Sequence, residues 1–357
     1  MEQLRRLFSK QMSRLWIGLL TLWLPLVGVA ASAKPDRLFA AHDALEITLT
    51  APFRSIVRDR DDHPQDRPAT LGYEFEGEAH LVAIGIRARG KSRRERDVCT
   101  FPPLRLNLPK AAVKGTLFAK QNKLKLVTHC KSKASHQQVL LREYLAYRML
   151  NLLTDASFKV RLLTVNYVDE DRGGRVITRL GFLIEHKDRL ARRLGAELIK
   201  ITRVERNKLA PAAASLAELY QFLISNTDFS FVAGPANDLC CHNAVPFVGV
   251  AGKVIPVPYD FDVSGLVDAP YALPQENLKQ RNLKDRLFRG FCRSAPHLDD
   301  AVAKAQASRD AIYELVADLD GLNEKNQRQV TRFIDGFYKI LDDPALYERR
   351  IAGACRG

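Results

Sequence analysis

The sequence predicts an α+β protein of two lobes, a β-rich first lobe carrying one long helix and a mainly α second lobe. Three observations predict this. The 357 residues allow two units at ~150 residues each. Short runs of alternating apolar and polar residues dominate as far as about residue 185. Beyond that point the apolar residues recur at helical spacing instead. The boundaries read as 1–33 for a leader, 34–186 for the first lobe and 187–357 for the second.

The leader comes first. Arg5, Arg6, Lys10 and Arg14 precede an apolar run over residues 15–29, and Ala31-Ser32-Ala33 follows as a small-x-small cleavage site. That is the pattern of a secretory signal peptide, and the run falls short of the ~20 residues that cross a bilayer. Cleavage near Ala33 makes the mature protein exported, to the periplasm or beyond. The whole chain carries +14 formal charge, and loss of 1–33 leaves it strongly basic. Such an excess suits polyanions or peripheral contact with an anionic membrane or envelope surface. Dispersed basic residues and the lack of a recognition motif argue against specific nucleic-acid binding.

Export decides how the six cysteines are read. An even number in an oxidising compartment implies disulfides, with fifteen pairings open. Cys99 and Cys130 flank strand-like runs that can be neighbours and form the favoured pair. Cys240-Cys241-His242 has neither a CxxC spacing nor a second His at ligand spacing, which argues against zinc.

In the first lobe, Leu45 to Leu49, Leu81 to Ile86, Leu104 to Leu108 and Val160 to Val168 alternate as strands with one buried face. A helix is expected over 137–153. After residue 185, Ser215-Leu216-Ala217-Glu218 reads as a capping box opening a helix. Two further helices are expected over 297–319 and 324–341.

The chemistry-bearing stretches are Asn226-Thr227-Asp228-Phe229, His242-Asn243 and Tyr259-Asp260-Phe261-Asp262. Strand geometry carried through Tyr259 would point Asp260 and Asp262 to one face. Two carboxylates and the Asn243 oxygen are hard ligands of the kind Mg²⁺ takes while also holding phosphates. Asp228, Asn243 and Asp260 or Asp262 follow the order of base, metal ligand and metal ligand in phosphoryl transfer. In the first lobe, Arg89 and Gly90 lie in a basic loop suited to covering phosphates. Lys123 and Lys125 share one face of a strand, where either can pair with Glu143. Arg93, Arg94 and Arg96 read as a solvated basic face.

These motifs in order, with Leu104-Arg105-Leu106, Leu141-Arg142-Glu143 and Gly181-Phe182-Leu183-Ile184-Glu185 between them, resemble the spore-coat CotH family over about residues 80–265. Members of that family are atypical, protein-kinase-like secreted enzymes that transfer phosphate from ATP to proteins. The resemblance implies a bilobal protein-kinase-like fold, with ATP and Mg²⁺ as cofactors and a protein acceptor. Asp228 would be catalytic, and Asn243, Asp260 and Asp262 would hold the metal. Arg89, Gly90, Lys123, Lys125, Glu143 and Glu185 would serve the nucleotide. Lys91 and Phe229 depart from the family's usual Asn and Trp. The competing function is a catalytically inactive binding module of the cell envelope with the same site.

Overall fold

The computed structural model describes residues 36–357, so the leader expected over 1–33 lies outside the described residues. A short helix α1 (Arg37–Ala40) precedes strand β1 (Leu45–Ala51), helix α2 (Phe53–Arg58), β2 (Arg67–Phe75) and β3 (Glu78–Ala88). Strands β4 (Leu104–Asn107) and β5 (Lys123–Val127) follow, then the long helix α3 (Ala134–Leu153), β6 (Val160–Asp169) and β7 (Arg175–Ile184). These seven strands close into a barrel in the order β1-β2-β3-β4-β5-β7-β6. All neighbours are antiparallel except β1 and β6, which run parallel from Leu45 opposite Leu163 to Ala51 opposite Asp169.

That closure overturns the bilobal protein-kinase-like fold. The core is a closed mixed barrel with helices around it, and residues Pro35–Gly357 form one compact unit. The alternation of apolar residues is the same for an open sheet with one buried face and for a barrel. Only the β1–β6 pairing, between residues more than a hundred apart, separates the two. Leu49, Leu71, Ile86, Leu106, Leu124 and Leu163 fill the barrel with no solvent exposure.

Helix α3 links the barrel to the second core. Fifteen of its twenty residues are buried, as expected of a helix covered on every side. It packs on β6, β7 and α7. Its apolar face joins a cluster with Leu219, Phe222 and Phe337 from the helices that follow. Those helices are α4 (Lys187–Leu194), α5 (Pro211–Leu223), α6 (Leu298–Ala307), α7 (Arg309–Ala317), α8 (Glu324–Asp342) and α9 (Pro344–Arg350). Between α4 and α6, strands β8 (Glu197–Leu198), β9 (Ala244–Val248) and β10 (Val254–Pro258) form a small antiparallel sheet.

Two helical expectations need correction. The helix expected to open at Ser215 opens four residues earlier, because Pro211 takes the first helical position, where its missing N–H costs nothing. Ser215 and Glu218 are then buried in its interior and cap nothing. The helix expected over 297–319 is two helices, broken at Ser308. The helix expected over 324–341 forms as α8.

Three disulfides form, Cys99–Cys130 as expected, Cys240–Cys241 and Cys292–Cys355. The second uses both thiolates that a zinc reading would need. Among the described residues no helix is long and apolar enough to cross a membrane.

Glu218 yields a stability prediction. Burial lifts its carboxyl to about 8, only partly offset by the Phe291 amide, Arg356 and Ser294, and its Oε1 has no partner. The raised value means that the folded state holds a proton which the unfolded chain releases near pH 4.5. Its contribution is therefore fully present below pH 4.5 and is lost as pH rises towards 8. Urea unfolding of Glu218→Gln is expected to match the parent at pH 4.5 and to exceed it by about 2–4 kcal/mol at pH 8.

Candidate functional site

Three segments converge on one cleft. The first is the β3–β4 connection, which leaves the barrel at Ala88 and turns at Gly90, where φ is +103°. That left-handed conformation is open to glycine and strained for other residues. The turn sends Arg93 inwards, 7% exposed. The second is α3, whose Glu143 and Tyr147 stand one helical turn apart on one face. The third is the loop after β10, carrying Asp260 and Asp262.

Arg93 joins all three. Its NH1 meets Glu143 Oε2 at 3.1 Å, NH2 meets Asp260 Oδ1 at 2.8 Å, and Nε meets Asp262 Oδ2 at 3.2 Å. The Tyr271 hydroxyl donates to Asp262 Oδ2 at 3.0 Å, and the Asp260 N–H donates to the Tyr147 hydroxyl oxygen at 2.8 Å. Burial opposes the Arg93 charge, but Asp262 and Glu143 outweigh it and hold the guanidinium ionised. Burial raises Glu143 to about 7 against the pull of Arg93, and it raises Asp262 likewise. Burial would raise Asp260 too, but Arg93, Arg89 and Lys125 prevail and hold it below the ordinary carboxylate range.

Three expectations change here. Of the three arginines expected on a solvated face only Arg96 is exposed: three carboxylates repay the desolvation of Arg93, and the buried Arg94 meets Asp62 at 2.7 Å. Glu143 pairs with Arg93, and no ion pair joins it to Lys123 or Lys125. Strand geometry also stops at Pro258, since Asp260 takes a left-handed φ of +62°. Asp260 and Asp262 are gathered by the guanidinium and not by strand alternation.

Beside this centre lies a second cluster. Asp228 Oδ1 is 2.7 Å from His242 Nε2, and Asn243 Nδ2 donates to Asp228 Oδ2 at 2.8 Å and to the Asp228 carbonyl at 2.7 Å. The hydrogen bond to Asp228 raises His242 against burial, with the Asp228 and Asp260 charges adding to it. Tyr259 N–H donates to the Asn243 carbonyl at 3.0 Å, which ties the two stretches together.

The barrel wall facing the cleft is cationic. Register places Arg87 opposite Arg105 and Arg105 opposite Lys125, three like charges in a row across adjacent strands. Only Arg87 has a carboxylate, Asp66 at 2.9 Å. Burial, and then Arg89, pull Lys125 down to about 7. Its ammonium stands 4.5 Å above the Tyr259 ring. Arg87, Arg89, Gly90, Arg105 and Lys125 line a 440 Å³ cavity. A neighbouring 320 Å³ cavity shares Arg105 and Lys125, and adds Phe158, Ile184, Leu198, Val245 and Tyr259. Lys123 is exposed at its rim. Glu185 also lines it, but its carboxylate is engaged by Arg193 at 2.8 Å and by the Lys159 N–H at 3.1 Å.

Magnesium held jointly with phosphates takes only one or two protein carboxylates. Asp260, its side chain 38% exposed, and the Asn243 amide oxygen fit that role. Asp262 is engaged by Arg93 and Tyr271. Among the described residues no three His, Cys, Asp or Glu side chains form a ready-made metal cage.

Comparison with protein-family models finds no match, and none is found among curated proteins.

Removing Arg93 leaves three carboxylates crowded without their countercharge. Arg93→Ala is expected to lower stability by about 3–5 kcal/mol, and Arg93→Lys to recover only part of it, since an ammonium lacks the three-way fork. Denaturant unfolding of both variants measures this.

Proposed function

We propose that the protein is an exported, Mg²⁺-dependent phosphotransferase that moves the terminal phosphate of ATP to a hydroxyl of a protein acceptor. The observation that carries this reading is the row Arg87–Arg105–Lys125, whose Lys125 stands over the ring of Tyr259 next to Asp260. Like charges opposite one another on a sheet cost stability. A polyphosphate repays that cost. The less polar cavity next to the row suits the base of a nucleotide, and the order of motifs resembling the CotH family supports the same assignment. Three disulfides among the described residues agree with an oxidising compartment.

In this reading Arg89, Arg105 and Lys125 hold the phosphates, with the Gly90 turn leaving room beside them. Asp260 and Asn243 would hold Mg²⁺, which when bound neutralises charge on the transferred group. Asp228, fixed by His242 and Asn243, orients the acceptor hydroxyl and accepts its proton. The acceptor oxygen bonds to the terminal phosphorus, the bond from that phosphorus to the bridging oxygen breaks, and ADP leaves. Glu143 and Asp262 act through Arg93, which positions Asp260. Catalysis of this kind rests on placement and charge more than on covalent chemistry.

A specific observation favours the second reading, a binding module without turnover. Arg93 already neutralises Asp260 and Asp262, as a site built only to hold a ligand requires. Incubating the protein with labelled ATP, Mg²⁺ and candidate acceptors separates the two. Transfer is expected, with a loss of about 10²-fold or more in Asp228→Asn while nucleotide still binds. Binding without transfer for every acceptor would leave the binding module, and absence of nucleotide binding would end both readings.

Lys125 adds a pH signature. Free, it titrates near 7 because of burial and Arg89, and a bound phosphate raises it. Binding must then take up a proton above pH 7. Affinity is expected to fall as pH rises from 7 to 9, by at most about tenfold per unit, and to flatten in Lys125→Met. Calorimetry in buffers of different ionisation enthalpy reads the proton uptake directly.

A further inference from the structure

A third cavity lies between α2, the start of β7 and the loops around Phe101 and His129. It measures 440 Å³ and shares no lining residue with the two cavities of the cleft. Its chemistry is unusual. Six arginines line it: Arg54, Arg58, Arg96, Arg172, Arg175 and Arg179. The lining holds one carboxylate, Asp169, which is 3.5 Å from Arg172 Nε and accepts the backbone N–H groups of Arg54 and Asp171. Among the described residues the other five arginines have no carboxylate within 4.0 Å.

The floor is aromatic. The Phe101 ring centroid stands 4.9 Å from that of Tyr167 and 4.7 Å from that of His129, and Phe53 meets Tyr167 at 5.2 Å. Two polar atoms of this floor have no partner. Tyr167 is 1% exposed and His129 3%, yet neither the Tyr167 hydroxyl nor His129 Nδ1 makes a hydrogen bond. Buried polar groups are almost always paired, so each such atom calls for an explanation. Burial, and then Arg179, pull His129 down to about 4, so its ring is neutral and adds no charge to the six guanidinium groups.

We infer that this cavity is a second binding site, for an aryl phosphate monoester, with the ring on the Phe53–Phe101–Tyr167 floor and the phosphate among the arginines. Guanidinium forks match phosphate oxygens two at a time, and five of these six are exposed to solvent and within reach of an entering anion. Aromatic floors favour a flat ring over an alkyl chain. The Tyr167 hydroxyl and His129 Nδ1 are themselves shut off from solvent, so a ligand meets the half-exposed Phe101 ring and the arginines first. The Cys99–Cys130 disulfide and the pairing of Phe101 with Cys130 hold the wall beside the floor. The ligand is either a free aryl phosphate or the phosphotyrosyl side chain of a protein, and the two share this chemistry.

The test is calorimetric titration of the protein with phenyl phosphate, inorganic phosphate and a short phosphotyrosyl peptide. Phenyl phosphate is expected to bind at least about tenfold tighter than inorganic phosphate, because only it covers the floor. Arg96→Ala combined with Arg175→Ala, both at exposed positions, is expected to weaken it about 10²-fold. Lys125→Met, in the other cleft, is expected to retain the site. A peptide that binds as tightly as phenyl phosphate assigns the source to a modified protein, and a much weaker one assigns it to a free metabolite. Equal affinity for phenyl and inorganic phosphate overturns the inference. So does unchanged binding in the double arginine variant, loss of binding in Lys125→Met, or no binding at millimolar ligand.

Discussion

The Arg93 guanidinium is the contact on which the candidate site depends. It enters from a barrel connection, meets a carboxylate from the central helix α3 and two from the loop after β10, and so joins the barrel to the second hydrophobic core. Each partner on its own would cost several kcal/mol to bury. Together they satisfy one another, and the geometry of the planar fork sets where Asp260 sits. Tyr147 and Tyr271 then close the two sides of the centre. Asp260 retains an exposed edge towards the cleft, while Asp262 and Glu143 are spent on holding the arginine.

Electrostatic imbalance gives the cleft its direction. The barrel wall carries three cations in register with one carboxylate between them, while Asp260 and Asp262 sit on the loop just beyond Tyr259, the ring under Lys125. Burial, and then Arg89, hold Lys125 below the ordinary lysine range, with Arg105 adding to it. Like charges opposite one another on a sheet cost stability, and only Arg87 of the three has a carboxylate partner.

Much of the local structure was legible in the sequence because local forces decide it. Alternation located β1, β4 and β6, helical spacing located α3 and α8, and neighbouring strand-like runs picked Cys99 and Cys130 as a pair. The order of motifs singled out the Asp228, Asn243 and Asp260 stretches, and Asn243 bonds to Asp228 while its carbonyl accepts the Tyr259 N–H. Barrel closure was not legible, because the parallel pairing of β1 with β6 leaves no trace in a one-sided apolar pattern. Nor was the role of Arg93. In the run Ser92-Arg93-Arg94-Glu95-Arg96 nothing local tells a buried arginine from an exposed one, and only three distant carboxylates make the difference. The start of α5 was misjudged for another reason: Ser215 and Glu218 satisfy a capping pattern, but Pro211 has already begun the helix.

The connection that delivers Arg93 leaves β3 at Ala88 and rejoins the barrel at Leu104, and Cys99 within it is bonded to Cys130 beyond β5. The staple therefore fastens the very excursion that feeds the carboxylate centre, and fastens it to a segment leading into α3. In a thiol-rich milieu the excursion loses that covalent anchor, and its order then rests on weaker contacts: the three ion pairs of Arg93, the Arg94–Asp62 pair and the backbone bond from Phe101 to Cys130. Oxidation of this cysteine pair thus steadies the strap that delivers the guanidinium to its carboxylates.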